Sequence, residues 1–449
     1  MYQVPQHISK DKIFIVKKSE IEGRLEPDFY KPSIATLEKK IHSLSTKKLR
    51  SYAQSFAGGA TPSKREFEKY YSDSQTGIPF LRVQNLQTNG ELSLNECIYI
   101  NEETHNGLLK RSQVSEGDLL VKITGVGRMA IASVAPEDFV GNTNQHMVVI
   151  KTGDSSISKY LAHYLNLDII EQIASRHSTG GTRPALDYPS LKNIPIIEGL
   201  DFSIIDNAIK AKKAKEVEAQ QLLDSIDGYL LKKLGITIPN VDNELNNRIF
   251  FSSFRKIEGN RIDSIYSLYL GKNASSTEYE NTSLRSIAHI VKGNALSSSD
   301  VKDGNIPIIA GGQTSPYNHS HSNYEGNIIT VSASGAYSGY VWYHDYPIYA
   351  TDCCVIYSKD ETLFMTKYLF EVLKLQQKGI YRLQTGAAQP HVYAADLQML
   401  NIPVVSIEKQ QEIVDYITNI RTRAKALQAE GKAILEDAKR KVEQMIIGE

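Results

Sequence analysis

Thr179-Gly180-Gly181-Thr182-Arg183-Pro184, followed by Leu191 and then Asn193-Ile194-Pro195, has a counterpart later in the same chain. The second copy keeps Thr385-Gly386, Pro390, Leu397 and Asn401-Ile402-Pro403, 206 to 208 residues further on. Two more pairs precede these in the same order. Ile78-Pro79 recurs as Ile306-Pro307, and the tract Arg24-Leu25-Glu26-Pro27-Asp28-Phe29-Tyr30 has a looser echo over residues 261–267. Four ordered pairs indicate an internal duplication. The offset shrinks toward the C-terminus, so the first half carries extra residues before Gly117.

Each half reads alike around that tract. Residues 118–123, 129–134 and 146–150 alternate or run apolar between Gly and Asn breaks, as strands do, and so do 328–331, 340–343 and 354–357. A helix pattern follows over 159–173 in one half and 366–377 in the other. The Gly- and Pro-bearing loop, the Asn-Ile-Pro strand and a long charged helix close each half.

The C-terminal helix carries Ile413, Ile420, Leu427 and Ile434 every seventh residue. A second set, Ile417, Ala424, Gly431, Ala438 and Met445, lies four residues on. That heptad predicts a coiled-coil seam, and its small members predict close backbone approach. The inner helix, near 206–234, puts Ile205, Ile209, Ala219, Leu223, Ile226 and Leu230 on one seam, interrupted by Lys212 and Glu216 and ended by Gly235 and Pro239. The two helices are expected to pair antiparallel and to space two globular parts like a ruler. The division expected is 1–200 for the first globular domain, 201–235 for the first helix, 236–405 for linker and second globular domain, and 406–449 for the second helix.

Composition narrows the class. The chain has 449 residues, 41% hydrophobic and 23% charged, the mix of a folded protein with ample core. Lys+Arg and Asp+Glu are equal at 51 each, which argues against a non-specific polyanion binder but not against a sequence reader with local cations. Only Cys97, Cys353 and Cys354 occur, too few for a disulfide scaffold. The apolar runs are too short to span a bilayer, and the opening MYQVPQHISKDKIF lacks a signal-peptide core, so the expected address is the cytoplasm.

Catalytic patterns are weak. Ala57-Gly58-Gly59-Ala60-Thr61-Pro62-Ser63-Lys64 has phosphate-loop composition without its spacing and reads as a Gly-Gly turn followed by a Pro turn. Pro27-Asp28 with Glu38-Lys39-Lys40 imitates a nuclease signature, but 33–41 reads as an amphipathic helix with these charges on its surface. His319-Ser320-His321 and Cys353-Cys354 lack zinc spacing, and neighbouring cysteines in a strand point to opposite faces. No nucleophile elbow is present.

What stands out is a concentration of side chains able to hydrogen-bond bases and phosphates in the loops of both halves. The first half offers Lys64, Arg65, Arg82, Gln84, Asn85, Lys122, Arg128, Asn144, Gln145, Arg176 and Arg183. The second offers Gln313, Asn318, His319, Tyr337, Tyr340, Arg382, Gln384, Gln389 and His391. Arg, Asn and Gln make bidentate contacts to guanine and adenine.

Taken in order, these features make the chain resemble the specificity subunit of type I restriction–modification systems. The resemblance rests on the Arg-Leu-Glu-Pro-Asp-Phe-Tyr-Lys-Pro opening and on Gly-Gly-Ala-Thr-Pro-Ser-Lys leading to Gly77-Ile78-Pro79-Phe80-Leu81-Arg82. It rests equally on Glu116-Gly117-Asp118-Leu119-Leu120, the two Thr-Gly to Asn-Ile-Pro exits, and the helix after each exit. The second half departs at its front, where Val291-Lys292-Gly293-Asn294-Ala295-Leu296 stands in place of the Gly-Gly tract. The resemblance implies an α+β fold: two mixed α/β target recognition domains joined by two long conserved helices in an antiparallel coiled coil, with pseudo-twofold duplication. It implies that the chain reads a bipartite double-stranded DNA target and is itself non-catalytic. It also implies two methyltransferase (modification) subunits that hold S-adenosylmethionine, and restriction/translocase subunits that use ATP and Mg. The rival readings are a specificity component of a related complex outside type I, a fused DNA methyltransferase or nuclease, and a coiled-coil adaptor that binds no DNA.

Overall fold

A computed structural model of the chain describes residues 9–237, 277–386 and 388–448. The tract 261–267 and Pro239 lie outside the described residues. Contacts divide the chain into two units. One is built from residues up to Glu216 together with those from Gln428 onward, the other from Val217–Leu427.

The first unit opens with helix α1 (Pro32–Leu44), whose first position is the proline that tolerates the missing N–H there. Strands β1 (Lys47–Lys48), β2 (Ser55–Gly58), β3 (Tyr71–Ser72), β4 (Ile78–Leu81) and β5 (Ile98–Ile100) follow. Then come β6 (Gln113–Ser115), β7 (Leu119–Lys122), β8 (Ala132–Val134), β9 (Val140–Thr143) and β10 (Met147–Lys151). Helices α2 (Ser155–Leu165) and α3 (Asp168–Arg176) lead to β11 (Pro195–Ile196) and the long α4 (Ser203–Lys233). One sheet has the order β2-β10-β7-β8, entirely antiparallel. The other, β3-β5-β4-β9-β6, contains one parallel pair, β4 with β9. Leu119, Val121, Val148 and Ile150 face a core shared with Leu161, Leu165, Ile170 and Ile173 of the helices. Leu120, Met147 and Val149 face the second sheet with Leu81, Val114 and Phe139. Burial on both faces is why these strands read as continuous apolar runs.

The second unit repeats the plan. Its elements are β12 (Asn281–Ser283), β13 (Ala288–Lys292), β14 (Ile306–Ile309), β15 (Asn318–His319), β16 (Ile328–Ser332), β17 (Val341–His344), β18 (Tyr349–Ala350) and β19 (Cys353–Ser358). Helices α5 (Thr366–Leu375) and α6 (Gln377–Tyr381), strand β20 (Asn401–Pro403) and the long α7 (Ile407–Ile447) complete it. The sheet β13-β19-β16-β17 matches β2-β10-β7-β8, β14 runs parallel to β18 as β4 does to β9, and β12 pairs with β20 as β1 does with β11. The duplicated Asn-Ile-Pro exit has one structural use in both. The buried Tyr164 hydroxyl donates to the Pro195 carbonyl at 2.9 Å, and Tyr368 donates to Pro403 at 2.8 Å. The extra residues expected before Gly117 include β6 and the short helical turns around it, which lie between β5 and β7. Cys353 and Cys354 do face opposite cores.

Within each unit α4 and α7 pack together. In the first, Ile205, Ala208 and Ile209 share a core with Leu435, Ala438 and Val442, and Lys215 pairs with Glu430 at 2.7 Å. In the second, Ala219 packs with Ala424 and Leu427, while Ile226 and Leu230 share a core with Ile413, Ile417 and Ile420. Contacts rise along one helix as they fall along the other, so the pair is antiparallel. The expected seam holds from Ile413 to Ala438 and fails at its last member. Met445 is 72% exposed, whereas Leu435, Val442 and Ile446 are buried. Past Gly431 the helix meets the rest of a globular core as well as α4, and its buried face widens from the heptad seam toward a 3.6-period face.

Three further expectations change. The helix expected over 159–173 breaks between α2 and α3, because buried Asn166 turns its amide onto both backbone groups of Ala132 in β8 (3.2 and 2.7 Å). The carboxylate of Glu443 on α7 then accepts the N–H groups of Asp168 and Ile169 that open α3. The second copy breaks likewise, at Gln376. Glu38, expected on the surface of α1, is buried. Its carboxylate binds the Arg176 guanidinium and, at 2.7 Å, His177.

Candidate nucleic-acid interface

Five connections of the first unit meet at one end of the sheet β2-β10-β7-β8. They are the segment after β2, the turn after β4, the β7–β8 loop, the β9–β10 turn and the hairpin 179–185. Backbone bonds lock them together. Asn144 N donates to Leu81 O (3.2 Å), Ile123 N to His146 O (2.9 Å), Leu186 N to Ile123 O (2.8 Å) and Gly125 N to Pro184 O (3.0 Å). The hairpin closes on itself through reciprocal bonds between Thr179 and Ala185. Gly59 is required where the post-β2 segment crosses this end, since a Cβ there would run into the Thr143 carbonyl.

The second unit builds the same end with other side chains. Val392 N donates to Ala333 O (3.0 Å), Gly335 N to Pro390 O (3.0 Å), and Thr385 and His391 close their hairpin reciprocally. A Cβ on Gly293 would strike the Thr351 carbonyl, so Gly293 does in this unit what Gly59 does in the first. The divergent front of the second half therefore keeps the one glycine its geometry needs.

The candidate residues divide by what their side chains already do. Lys64, Arg65, Gln84 and Arg183 are exposed in the first unit, and Gln145 is exposed while accepting the Thr61 hydroxyl. Gln313, Asn318, Tyr337, Arg382 and Gln389 are exposed in the second, and His391 is half-buried with its ring stacked 6.0 Å from Tyr393. Others brace the loops. Asn85 is fully buried, accepting from Arg82 N and donating to Ser93 O, both at 2.8 Å. Arg82 donates to Glu96 O at 2.8 Å, and buried Asn144 accepts from His146 N at 3.0 Å. Gln384 donates to Ser338 O at 2.7 Å, His319 accepts from Lys302 N at 3.1 Å, and half-buried Tyr340 lies under the Lys374 ammonium at 4.2 Å. Arg128 is bound to Asp168 and, at 2.6 Å, to Asn166 O.

Arg176 departs from its expected place. It is the last residue of α3 rather than a loop residue. Its guanidinium is held by Glu38 and by Phe29 O at 2.7 Å, 4.5 Å above the Phe29 ring. Arg24 covers the same ring at 4.6 Å and donates to Ser178 O at 2.8 Å, next to the hairpin. The Arg-Leu-Glu-Pro-Asp-Phe-Tyr opening is thus a clasp on the base of the loop.

Lys122 is buried at the end of β7, and its ammonium donates to Val126 O at 2.8 Å. Burial lowers its pKa below the usual lysine range, and Glu171 opposes that shift. Among the described residues no cluster of three or more His, Cys, Asp or Glu could hold a metal ion, and no helix is long and apolar enough to cross a membrane. Sequence reasoning weighed polar types and passed over Val126, which is 77% exposed at the tip of the β7–β8 loop. The signal was its flanking pair, Gly125 and Gly127, both at positive φ.

The family described as the type I restriction modification DNA specificity domain matches the chain twice, over residues 44–197 and 276–436. No curated protein matches. Among solved structures the chain is similar to the S subunit of a type I restriction–modification system from M. genitalium, with 14% identity over 88% of this chain and 95% of that one and a TM-score of 0.42. It is similar to the HsdS subunit from Thermoanaerobacter tengcongensis at 14% identity, 89% and 95% coverage and a TM-score of 0.35. A structure concerned with assembly and conformational transition of the type I R-M system gives 15%, 89% and 95%, and 0.44.

Proposed function

Because the chain belongs to the type I restriction–modification DNA specificity family, with its domain present twice, we propose that each unit reads one part of a bipartite DNA target through the loop end described above. The observation that carries this reading is the pairing of a common frame with different exposed side chains. Both units lock the same loops by equivalent bonds, yet one exposes Lys64, Arg65, Gln84, Gln145 and Arg183 and the other Gln313, Tyr337, Arg382 and Gln389. A fixed frame with variable tips suits base readout, since phosphate contacts position and base-edge contacts specify. The braced residues Asn85, Arg82, Lys122, Asn144 and Gln384 would act by holding those tips.

In this proposal the chain performs no chemistry. It directs two modification subunits, which hold S-adenosylmethionine, and restriction subunits, which use ATP and Mg, in the cytoplasm where the DNA is. The long helices α4 and α7 would set the unread spacer and offer the modification subunits a surface. Mapping methylated sites in host DNA with and without this gene tests the reading. A bipartite motif that vanishes with the gene supports it, while an unchanged methylation pattern, or DNA turnover by the pure chain alone, overturns it.

A further inference from the structure

We propose that Val126 is a specificity-determining residue that packs on the C5-methyl group of a thymine in the first part of the target. The inference rests on the recognition reading above and adds a contact that polar side chains cannot make. Val126 sits at the tip of the β7–β8 loop, flanked by Gly125 and Gly127 at φ of 120° and 79°. A Cβ on Gly127 would meet nothing within 4 Å, so the tip stands clear of the protein.

The tip is nevertheless fixed. Its carbonyl accepts the buried Lys122 ammonium at 2.8 Å, and Gly125 N is bonded to Pro184 O at 3.0 Å. On the far side Arg128 is bound to Asp168 and Asn166 O. A lone exposed valine is common on protein surfaces. A valine whose backbone is held by a buried cation at a binding end is pre-organised, and pre-organisation lowers the ordering cost of contact. The equivalent loop of the second unit, anchored by Gly335 N on Pro390 O, presents Tyr337, 49% exposed. Both units thus put a large apolar or aromatic group at this tip, with a different residue in each.

The ligand chemistry follows from what valine lacks. It can neither donate nor accept, so it discriminates bases only by apolar contact. In the major groove the thymine methyl is the apolar group that base edges offer. Arg183 is on the hairpin bonded to this loop and is free to reach a neighbouring phosphate or base.

The test is a double-mutant cycle on the full chain. Its target is first selected from random duplexes with the wild-type protein. Each thymine of the first part is then replaced by uracil, which lacks only the methyl group, and the series is repeated with Val126→Ala. One thymine should lose about four-fold in wild-type affinity on becoming uracil, the value of one buried methyl, and that loss should disappear in Val126→Ala. The second part of the motif should be unaffected. A selected motif with no uracil-sensitive thymine, or with one equally sensitive in the variant, overturns the inference and leaves the recognition reading standing. If no motif is enriched, the recognition reading falls and the inference falls with it.

Discussion

Gly431 is a position where α7 approaches the α4 backbone closely in the first unit, and enlarging it gives a signed, measurable effect. A Cβ added there would lie 3.3 Å from the Cα and Cγ of Lys212 and 3.4 Å from its carbonyl oxygen. Two opposed effects decide the outcome. Replacing glycine in a helix interior with alanine gains about 1 kcal/mol in backbone propensity. The contact takes part of that back, since the Lys212 backbone must yield by a few tenths of an ångström. Gly431→Ala is therefore expected to be close to neutral. Gly431→Leu keeps most of the propensity gain but drives three more carbons at the α4 backbone, and overpacking of this kind costs about 1–3 kcal/mol. Urea unfolding followed by far-UV circular dichroism reads the difference between the two variants. Leu is expected to be the less stable by about 1–3 kcal/mol, with an unchanged slope. Equal stability of the Leu and Ala variants would refute the close approach.

Arg183→Ala should leave stability within about 0.5 kcal/mol of wild type, because the side chain is exposed and spends no internal bond. DNA affinity should fall by about 1–3 kcal/mol if it reads a base, or the salt slope should drop by about one if it holds a phosphate. Unchanged affinity and slope refute the placement. Glu38→Gln should destabilise the protein by about 3 kcal/mol at pH 7, since it leaves the Arg176 guanidinium inside without its carboxylate. Burial alone would raise the Glu38 pKa, but His177 and Arg176 outweigh it and hold the carboxyl below its ordinary range. A depressed folded pKa contributes stability above the unfolded value and loses it as pH falls through the folded one. The gap between wild type and variant should accordingly close on acidification below the normal glutamate range, and a gap that stays constant from pH 7 to pH 3 counts against the pairing. Gly59→Ala and Gly293→Ala should each cost about 1–3 kcal/mol in urea unfolding, by the shared clash with a carbonyl, and a neutral result at either would break the equivalence of the two crossings.

The duplication was legible because its markers are set by backbone bonds that recur. Each hairpin bonds its proline's carbonyl to a glycine N–H, and each Asn-Ile-Pro strand presents a proline carbonyl to a buried tyrosine. Those demands fall on few residue types, so the types repeat. The central strands were legible for a different reason: burial on both faces leaves continuous apolar runs. The break between α2 and α3 was not legible. It depends on Asn166 meeting Ala132, a partner 34 residues away, and the local pattern stays helical through it. The exposure of Met445 escaped for the same reason, because past Gly431 α7 meets other core elements as well as α4 and its charge pattern is unchanged.

For the recognition end, residue type identified the neighbourhood but not the direction of each side chain. Asn85 and Arg183 are equally good base readers by type, yet one is fully buried with its amide satisfied and the other is exposed. The difference lies in chain geometry: Asn85 closes its own turn by accepting from Arg82 N, whereas Arg183 projects from a hairpin that bonds only through its backbone. Arg176 and His177 are held by Glu38 from a helix more than a hundred residues earlier. The polar residues of such an end therefore serve two ends at once. Some make the frame rigid, which lowers the ordering cost of binding, and the rest stay free to be exchanged without loss of fold. Exchange at Lys64, Arg183 or Val126 in one unit, or at Gln313, Tyr337 or Gln389 in the other, could then alter the bases read while Gly59, Gly293, Asn85 and Gln384 keep the loops where they are.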